Sequence, residues 1–600
     1  MEKSILHVFF KTAARRGAAD ALRWKEGGRW TAISWTEYAR RVRLAARGFL
    51  ALGLPVGGAV AIIGNNRWEW LVADLGTMAA AGVPAPIYQT CTPEQVAYVA
   101  GHCDATIAVA ENAAQLRKLR ERKGELPKLA KVVLMEGAPD GADCMTFADL
   151  LALGEKTPDT ELDARLAVLD PEKLATLIYT SGTTGPPKGV MLTQKNLVFT
   201  PQALLKGMDV GEDEQLISYL PLSHIAEQMM SIHMPVTVGA TVSFAESLER
   251  LGDNLREVRP TVFLGVPRVW EKIQAKMVEA GAQNPPLKKK IAAWARKVGL
   301  EGGYRLQRRE GMPLFYGLAN KLVFSKVREK LGLDRARYCV TAAAPIAKST
   351  LEFFLSLGIP IYEVYGMSED TGPATVSTPD GWKTGYVGRV LPDTEVKIAP
   401  DGEICMRGAH VFAGYLKNPE GTAEALDADG WLHSGDVGEF DREGFLKITD
   451  RKKDLIITAG GKNVAPQNLE ALLKSIGGIA QAAVIGDRRK YLTALLTLDP
   501  EQSKRKAEEA GARGHTPAEL ASDPAFLGWL QKQIDAMNAQ LAKYETIKKF
   551  KILAGEWTVE TGELTPTMKL KRKVVVQKYA GDIEAMYPPE AGDAGASASV

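Results

Sequence analysis

Hydroxyl side chains and glycines are concentrated at residues 179–190, which read Tyr-Thr-Ser-Gly-Thr-Thr-Gly-Pro-Pro-Lys-Gly-Val. Glycine lets a ligand approach the backbone closely, and a run of exposed N–H groups forms a concavity that binds anions. The pattern therefore predicts a loop that folds around phosphate oxygens. It differs from the common P-loop, which requires Gly-Lys followed by Ser or Thr, because Lys188 lies between Pro187 and Gly189. An ordinary turn between two strands is the structural alternative.

A second group of chemically useful side chains follows the apolar run 359–364. Residues 365–369 read Tyr-Gly-Met-Ser-Glu, so a tight turn presents an aromatic ring, a hydroxyl and a carboxylate together. A flat ring can stack on a purine, and a carboxylate can hold the Mg²⁺ that neutralises phosphate charge. Taken alone, such a pentapeptide is more often a structural turn. Its interpretation therefore depends on the loop at Thr180.

The order Thr-Ser-Gly-Thr-Thr-Gly-x-Pro-Lys-Gly-Val resembles the phosphate loop of the adenylate-forming enzymes. This superfamily includes acyl-CoA synthetases, peptide-synthetase adenylation domains and luciferases. Tyr-Gly-x-Ser/Thr-Glu resembles its adenine-binding motif, and the Ala-Ala-Ala-Pro at 342–345 resembles its adenine-side loop. The resemblance implies catalytic and Mg²⁺-binding roles for Thr180 and Glu369. It implies ATP contacts for Ser181, Gly182, Thr183, Thr184, Gly185, Lys188, Ala343, Ala344, Tyr365, Gly366 and Ser368.

Two further stretches match ribose-side motifs of the same superfamily. Residues 430–436, Gly-Trp-Leu-His-Ser-Gly-Asp, resemble a segment whose aspartate, here Asp436, accepts both ribose hydroxyls. A carboxylate suits this task because it offers two acceptors to a vicinal diol. Within the Asp-Arg-Lys-Lys-Asp at 450–454, the resemblance implies a ribose contact for Arg451 and a hinge at Lys453. The structural alternatives are a turn cap for Asp436 and a solvated charged linker.

The basic segment 562–573 resembles the last motif of the superfamily. Its Pro-Thr-x-Lys-x-x-Arg core implies that Lys569 contacts both the substrate carboxylate and the α-phosphate. A compact ammonium on a flexible stem is suited to neutralising charge as a carboxylate oxygen attacks phosphorus. Lys571 competes with Lys569 for this assignment, and a basic surface strand is the structural alternative.

Two stretches resemble the acyl-pocket segments of fatty-acid members, 219–228 and 265–273. They imply pocket positions for His224, Gly265 and Val266. A lone histidine is more often structural than catalytic, so no acid/base role is assigned to His224. In some long-chain members an aromatic residue four positions after this histidine gates the acyl tunnel. Gln228 stands there instead, which leaves the acyl chain-length preference open.

The motifs follow the superfamily order over 35–573, and the likeness is greatest to long-chain acyl-CoA synthetases of the bubblegum-type branch. The loop Ala-Gly-Gly-Lys-Asn at 459–463 resembles their pantetheine-contacting face, which implies coenzyme A contacts for Gly460 and Gly461. The resemblance thus implies ATP-dependent ligation of a long-chain fatty acid to coenzyme A through acyl-AMP, with ATP, Mg²⁺ and coenzyme A required.

Two other functions share part of this pattern. A fatty acyl-AMP ligase that loads a phosphopantetheine carrier protein would need every nucleotide residue named above, and stays open as the alternative. A lipid-binding scaffold without catalysis would ordinarily lack some of the nucleotide-binding side chains. All of the five most informative ones are present, namely Lys188, Glu369, Asp436, Arg451 and Lys569.

Bulk properties exclude several classes of protein. A net charge of +3 and a pI near 8.3 give no polyanion-binding footprint, so no nucleic-acid partner is expected. The five cysteines have neither zinc-site nor disulfide spacing, which predicts reduced, buried thiols. No secretory signal and no apolar run of roughly 20 residues is apparent, so a cytoplasmic protein is expected. The oligomeric state stays open.

One segment bears on membrane contact. Residues 286–297 interleave basic side chains with Leu, Ile and Trp. Peripheral contact at the inner membrane surface is therefore an alternative to a solvated surface helix, which such a charge pattern more often forms.

Short apolar runs at 59–63, 106–110 and 131–135 alternate with longer stretches of helical period such as 35–52. This alternation predicts an α/β fold with parallel sheets covered by helices. Short strands joined by Asp-Gly and Glu-Gly turns predict a small β-rich subdomain at about 385–450.

The expected organisation has two domains and a tail. A large N-terminal AMP-binding domain of helix-covered sheets spans 1–450, and a smaller, mobile α+β C-terminal domain spans 451–588, with the hinge near Lys453. After 485 we expect a long polar helical region at about 500–544, then strands near Phe550 and Val574. Residues 589–600 are small and polar and are expected to be disordered.

Overall fold

The computed structural model describes residues 2–180, 186–565 and 569–587 of the chain. Five predicted phosphate-loop residues, 181–185, and the tail predicted to be disordered, 589–600, lie outside this part. Among the described residues, no helix has both the length and the apolar character needed to cross a membrane.

Strands and helices alternate through the first part of the chain, as its apolar runs predict. The elements in chain order are α1 (Ile5–Arg16), β1 (Asp20–Glu26), β2 (Arg29–Ser34), α2 (Trp35–Ala51), β3 (Ala59–Ile63), α3 (Trp68–Ala79), β4 (Val83–Ile87), α4 (Pro93–His102), β5 (Ile107–Ala110), α5 (Ala113–Glu121), β6 (Lys131–Leu134), β7 (Cys144–Thr146), α6 (Phe147–Lys156), α7 (Asp159–Ala167) and β8 (Leu174–Thr180). The predicted strands are β3, β5 and β6, and the predicted helix at 35–52 is α2.

The middle of the chain continues the α/β alternation and includes two π-helical turns, Met229–His233 and Asn320–Phe324. The elements are β9 (Lys188–Thr193), α8 (Gln194–Gly207), β10 (Gln215–Ser218), α9 (Ile225–Gln228), α10 (Met234–Val238), β11 (Thr241–Phe244), α11 (Leu251–Val258), β12 (Val262–Leu264), α12 (Pro267–Ala282), α13 (Pro286–Gln307), α14 (Tyr316–Ala319), α15 (Ser325–Leu331), β13 (Tyr338–Thr341), α16 (Lys348–Leu355), β14 (Ile361–Tyr365), β15 (Thr375–Val376) and β16 (Arg389–Val390).

Short antiparallel strands follow, and then a separate α+β unit. The strand-rich elements are β17 (Glu395–Ile398), β18 (Glu403–Arg407), β19 (Gly414–Tyr415), α17 (Pro419–Ala425), β20 (Leu432–Phe440) and β21 (Leu446–Arg451). The last elements are β22 (Ile456–Ile457), β23 (Asn463–Val464), α18 (Pro466–Ser475), β24 (Ile479–Ile485), β25 (Leu492–Leu498), α19 (Pro500–Ala510), α20 (Pro517–Leu520), α21 (Pro524–Asn538), β26 (Ile547–Ile552), α22 (Arg572–Lys578) and α23 (Ala580–Ala585).

Parallel sheets form the framework of the N-terminal part. One sheet has the order β4-β3-β5-β6-β7, with all neighbours parallel. Another has the order β12-β13-β14-β15-β16 and is parallel across its first three strands. The carboxyl ends of adjacent parallel strands meet at one sheet edge. The loop that follows β13 and the turn that follows β14 therefore lie side by side.

Two antiparallel arrangements supply the remaining site residues. Strands β8 and β9 form a hairpin to which β19 adds a third strand. Strands β17, β18, β20 and β21 form a four-stranded antiparallel sheet, which agrees with the β-rich character expected of this region.

The C-terminal unit is built on the sheet β24-β25-β26. Buried side chains of α18, α19 and α21 join one cluster with this sheet, and α22 and α23 join a second cluster with it. The strand expected near Val574 is wrong, because this segment is helix α22. Val575 is fully buried among Ala483, Leu495 and Trp557. Tertiary packing of one helical face thus overrides the β-propensity of three consecutive valines.

The N-terminal core shows why α2 forms where its pattern predicts. Ser34 caps the helix by accepting from the N–H of Glu37, with an N–O distance of 3.2 Å. Its buried face includes Trp35, Tyr38 and Phe49, which join the largest apolar cluster. All five cysteines are buried and free, as expected from their spacing.

Candidate active site

An aromatic hydroxyl and a guanidinium hold the carboxylate that was predicted to bind ribose. Asp436 of β20 lies opposite Arg451 of β21. Arg451 Nε donates to Asp436 Oδ1 over 3.0 Å, and Tyr365 Oη donates to Asp436 Oδ2 over 2.9 Å. Burial, and then the negative charge of Asp436, raises the pKa of Tyr365 well above its usual value. The hydroxyl therefore stays protonated, and three separately predicted nucleotide residues form one hydrogen-bonded cluster.

Tyr415 joins two residues predicted to lie near the phosphates, and sequence reasoning did not identify it. Tyr415 Oη donates to Glu369 Oε1 over 2.7 Å. Lys188 Nζ lies 4.5 Å from the centre of the Tyr415 ring, within cation–π range. Strand β19 brings Tyr415 here by pairing with β9, the strand that begins at Lys188. The segment around Tyr415 contains no charged motif, so only this strand pairing reveals its place.

Glu369 is a buried carboxyl, and the effect of burial on its pKa exceeds the opposing effect of its polar and charged neighbours. Burial raises its pKa, whereas the Tyr415 hydrogen bond and the positive charges of Arg451 and Lys188 act in the opposite direction. Thr180 ends β8 directly opposite Lys188 in the hairpin, and β9 contacts the turn that carries Glu369. Carboxylate and hydroxyl oxygens are hard ligands of the kind Mg²⁺ prefers. Glu369 and Thr180 therefore fit the metal predicted for them.

Lys569 approaches this cluster from the C-terminal unit. It keeps access to solvent, yet surrounding protein atoms desolvate its ammonium and lower its pKa. The charge of Arg451 lowers the pKa further, whereas Asp436 and Glu369 raise it. The ammonium therefore lies within electrostatic range of the two carboxylates. Lys571 instead acts on the thiol of Cys91, so the two candidate lysines face different surroundings.

Gly366 lies where no side chain fits. A Cβ atom there would lie 1.6 Å from the carbonyl oxygen of Gly372. Asp370 keeps this turn closed, because Oδ1 accepts from Met367 N at 2.9 Å and from Gly372 N at 3.1 Å. Ser368 is buried in the same turn. The Tyr-Gly-Met-Ser-Glu turn is therefore rigid on its inner side and presents Tyr365 and Glu369 to the cluster.

The predicted adenine-side loop follows β13, next to this turn. Ala343 has φ +73°, a left-handed conformation that is uncommon outside glycine. Ala344 is exposed. This loop follows β13 at the same sheet edge as Tyr365, and its contact with an adenine base stays a prediction.

The predicted acyl-pocket residues lie around the end of β12 and the start of α9. Gly265 N donates to Val340 O over 2.9 Å, and a Cβ on Gly265 would lie 2.5 Å from Nε1 of the buried Trp270. Val266 is the N-cap residue of α12. His224 caps α9, and burial, followed by the charge of Lys569, lowers its pKa to about 4. His224 is thus neutral near pH 7 and lies near the same ammonium as the carboxylates.

Two further polar side chains follow His224, and sequence reasoning did not single out the first. Glu227 is buried, and its Oε1 accepts from Ser218 and Ser231 hydroxyls, each over 2.6 Å. Gln228, at the position of the gating aromatic, is also buried, and its Nε2 donates to Leu222 O over 3.0 Å. A place for this amide in the wall of an acyl pocket stays a prediction.

Some predicted residues lie away from the cluster. Gly460 and Gly461 form an exposed turn between β22 and β23 of the C-terminal unit. Lys453 is exposed just beyond β21. The residue before it is anchored, since Lys452 N donates to Gly435 O over 2.8 Å and Lys452 Nζ lies 3.0 Å from Glu403 Oε2 and 2.6 Å from Asp401 Oδ2.

Family models match both parts of the chain. The model of the AMP-binding enzymes covers residues 9–416, and that of the AMP-binding enzyme C-terminal domain covers residues 453–591. The chain belongs to the AMP-binding enzyme family. The ligand expected at the hydrogen-bonded cluster is therefore an adenine nucleotide.

Curated relatives cover nearly the whole chain. It is 42% identical to the long-chain-fatty-acid–CoA ligase ACSBG2 of Xenopus laevis, over 97% of this chain and 84% of the relative. It is 38% identical to the long-chain-fatty-acid–CoA ligase ACSBG1 of Homo sapiens, over 97% of this chain and 85% of that protein. The likeness to the bubblegum-type ligases, expected from the motifs, is confirmed.

Solved structures share the fold. The adenylation domain of a carboxylate reductase from Mycobacterium chelonae superposes with a TM-score of 0.76 at 22% identity, covering 97% of this chain and 91% of that one. The anthranilate CoA ligase AuaEII, solved with anthranoyl-AMP, gives 0.74 at 18% identity over 97% and 98% of the two chains. The predicted α/β fold class is confirmed.

Proposed function

We propose that this protein ligates a long-chain fatty acid to coenzyme A in two steps through an acyl-AMP intermediate. The observation that carries this proposal is the hydrogen-bonded group of Tyr365, Asp436 and Arg451, on which Lys569 of the C-terminal unit acts electrostatically. Such a group can bind a nucleotide and neutralise charge at its α-phosphate. The names of the relatives support a fatty acid as the acyl substrate and coenzyme A as the acceptor.

In the first step a carboxylate oxygen attacks the α-phosphorus of ATP, the P–O bond to the β-phosphate breaks, and pyrophosphate leaves. Lys569 neutralises the carboxylate and the α-phosphate as they approach. Asp436 accepts from the ribose hydroxyls, and Arg451 holds Asp436 in place. Lys188 and the 180–188 loop hold the outgoing phosphates. Bound Mg²⁺, held by Glu369 and Thr180, would supply further neutralisation of phosphate charge.

In the second step the thiol of coenzyme A attacks the acyl carbonyl, and AMP leaves with the bond electrons. Lys569 acts electrostatically on the cluster, while Gly460 and Gly461, the predicted coenzyme A contacts, lie in an exposed turn of the same unit. We therefore propose that the C-terminal unit, 451–588, rotates on the N-terminal unit, 1–450, between steps. The anchored Lys452 and the exposed Lys453 support a hinge at residue 453.

A comparison of two lysine variants tests the assignment. Lys569→Ala is expected to lower fatty-acid-dependent exchange of pyrophosphate into ATP by about 10²-fold or more, because it removes a charge that acts in the transition state. It should leave thioester formation from supplied acyl-AMP largely intact. Lys571→Ala is the matched control and should retain pyrophosphate exchange. Equal loss of both half-reactions in Lys569→Ala would contradict the proposed division of labour.

The acyl substrate and the thiol acceptor need their own assay. A panel of fatty acids from short to very long, scored by AMP release with coenzyme A, should show activity on long chains. Activity confined to short acids would overturn the fatty-acid assignment. Turnover only with a phosphopantetheine carrier protein would favour the carrier-loading alternative.

A further inference from the structure

Exposed apolar side chains and positive charge coincide on one surface outside the nucleotide cluster. Between the end of α13 and the start of α15, five large apolar residues face solvent. We call this set the apolar ridge, and it consists of Met312, Leu314, Phe315, Leu318 and Leu322. Leu314 is 79% exposed and Phe315 is 56% exposed. Single exposed apolar residues are ordinary, but a run of five within eleven residues indicates an interaction surface.

The ridge rests on a small core of its own. Ala295, Ala319 and Phe324 are buried together, with Tyr316 packed against them. Gly302 of α13 lies so close to Tyr316 that an added Cβ would come within 2.5 Å of the ring. The inner side of the segment is therefore fully used in packing. The outer apolar side chains add nothing to this core, so folding alone does not account for them.

The backbone holds Phe315 outward at a cost. Its φ is +71°, a conformation that is a genuine outlier for a bulky residue. A glycine would adopt it without strain. Backbone strain of this kind persists where the surrounding structure imposes it, often at ligand-binding positions. The strained and exposed aromatic is an observation independent of the apolar count, and it indicates that the ring is presented for contact.

Positive charge is concentrated in the segment that carries the ridge. Residues 305–330 contain seven basic and two acidic side chains, although the whole chain of 600 residues carries a net charge of only +3. The rest of the molecule is therefore slightly negative. Lys321 and Lys330, within this segment, are exposed. A second copy of the ridge would bring two such basic surfaces together, which is electrostatically unfavourable.

We propose that the apolar ridge inserts into the headgroup region of an anionic lipid bilayer, with the exposed Lys321 and Lys330 contacting lipid phosphates. Exposed leucine and phenylalanine side chains close in sequence to exposed lysines are the composition of an interfacial anchor. The segment that the sequence indicates for membrane contact includes the basic start of α13, Lys288 to Lys290. The 22-residue helix separates it from the ridge by about 30 Å, so it adds attraction without joining the insertion.

Sedimentation with vesicles tests the proposal on the full-length protein. Wild type should sediment with vesicles of phosphatidylglycerol and phosphatidylcholine, and at least about tenfold less with phosphatidylcholine alone. Raising the salt concentration should release it. Leu314→Ser/Leu318→Ser should weaken binding by about tenfold or more, since both side chains lose apolar contact. The matched control is Leu248→Ser, which alters a leucine that is 53% exposed elsewhere.

Other outcomes would overturn the placement or the occupant. Equal vesicle binding by the ridge variant and wild type would overturn the placement of the membrane contact at the ridge. So would a larger loss of vesicle binding in Lys288→Ser/Lys289→Ser/Lys290→Ser than in the ridge variant. A wild-type dimer in gel filtration that dissociates in the ridge variant would identify a second copy as the occupant. Pyrophosphate exchange in vesicle-free buffer should be unchanged in every variant, which keeps this test separate from that of the proposed ligase activity.

Discussion

At the scale of single residues, the site depends on hydrogen bonds from neutral tyrosine hydroxyls to two buried carboxylates. Glu369 and Asp436 are buried carboxylates, and each accepts from a tyrosine hydroxyl, of Tyr415 and Tyr365 respectively. Burial raises the pKa of both tyrosines, so both remain donors throughout the neutral range. The carboxylates can therefore stay oriented before a cation or a ribose arrives.

Tyr415→Phe removes the donor to Glu369 and leaves the ring under Lys188. Hydrogen bonds to charged groups contribute about 1.5–3 kcal/mol, so we expect pyrophosphate exchange to fall by about 10- to 100-fold and the Mg²⁺ requirement to rise. Titrating Mg²⁺ in the exchange assay measures both. Tyr544→Phe, at an exposed tyrosine, serves as the control. An unchanged Mg²⁺ dependence would remove Tyr415 from the metal side of the site.

Asp74 predicts a pH effect on stability away from the site. It is buried in α3, neither of its oxygens has a hydrogen-bond partner among the described residues, and burial raises its pKa to about 8. The unfolded chain releases this proton near pH 4, whereas the folded chain keeps it until about pH 8. The free energy of unfolding therefore falls as pH rises through this window.

Asp74→Asn removes the effect, because the amide cannot ionise. The free energy of unfolding of wild type should fall between pH 5 and pH 8.5, and that of the variant should not. The variant's stability relative to wild type should therefore be at least about 1 kcal/mol higher at pH 8.5 than at pH 5. Urea unfolding at the two pH values measures this difference. Asp209→Asn changes a side chain that is 98% exposed and should show no such gain. Parallel pH dependence of wild type and Asp74→Asn would show that Asp74 is ionised in the folded state.

At the scale of elements, the start of α12 links packing to the expected acyl pocket. Trp270 is fully buried between Phe263 and Phe354, with ring centroids 5.3 and 4.9 Å away. Its indole fills the space that a side chain at Gly265 would need. The glycine therefore lets the end of β12, the start of α12 and the indole approach one another closely.

Gly265→Ala should disturb this contact, whereas Gly281→Ala, within helix α12, should not. A methyl group at 265 lies 2.5 Å from the indole, and overpacking of this kind costs about 1–3 kcal/mol. Nothing lies within 4 Å of a Cβ at 281, so alanine there should stabilise by up to about 1 kcal/mol. Thermal unfolding checks both. Activity on the longest acids should also fall in Gly265→Ala alone, and equal stability of the two variants would contradict the packing argument.

At the scale of the whole molecule, the sequence allowed the fold class to be predicted because apolar periodicity is local. Strands β3, β5 and β6 and helix α2 could be predicted for this reason. Helix α22 could not, since three valines favour a strand until the buried surface beneath Val575 is known. Tyr415 could not either, because its role arises from the pairing of β19 with β9, about 225 residues away in the chain.

Ion pairs connect the C-terminal unit to the N-terminal unit. Two ion pairs cross from α12 to the region of α19. Arg505 pairs with Glu279, and Arg268 Nη2 lies 3.6 Å from Asp499 Oδ2. In this arrangement Lys569 is within electrostatic range of Asp436 and Glu369. If the C-terminal unit rotates during the reaction, both pairs must break, so they favour the adenylating arrangement over the other.

Arg505→Glu should therefore shift the balance between the two half-reactions. Exposed ion pairs contribute about 0.2–1 kcal/mol, so pyrophosphate exchange should fall by up to about fivefold, while thioester formation from supplied acyl-AMP should hold or rise. The charge swap Arg505→Glu/Glu279→Arg restores the attraction and should recover exchange, with the difference between variants shrinking as salt is raised. The swap changes both residues but keeps one positive and one negative charge in the pair. If pyrophosphate exchange did not recover in the swap, Arg505 would act through another contact. A proportional fall in both half-reactions would instead indicate general destabilisation rather than a preference for one arrangement.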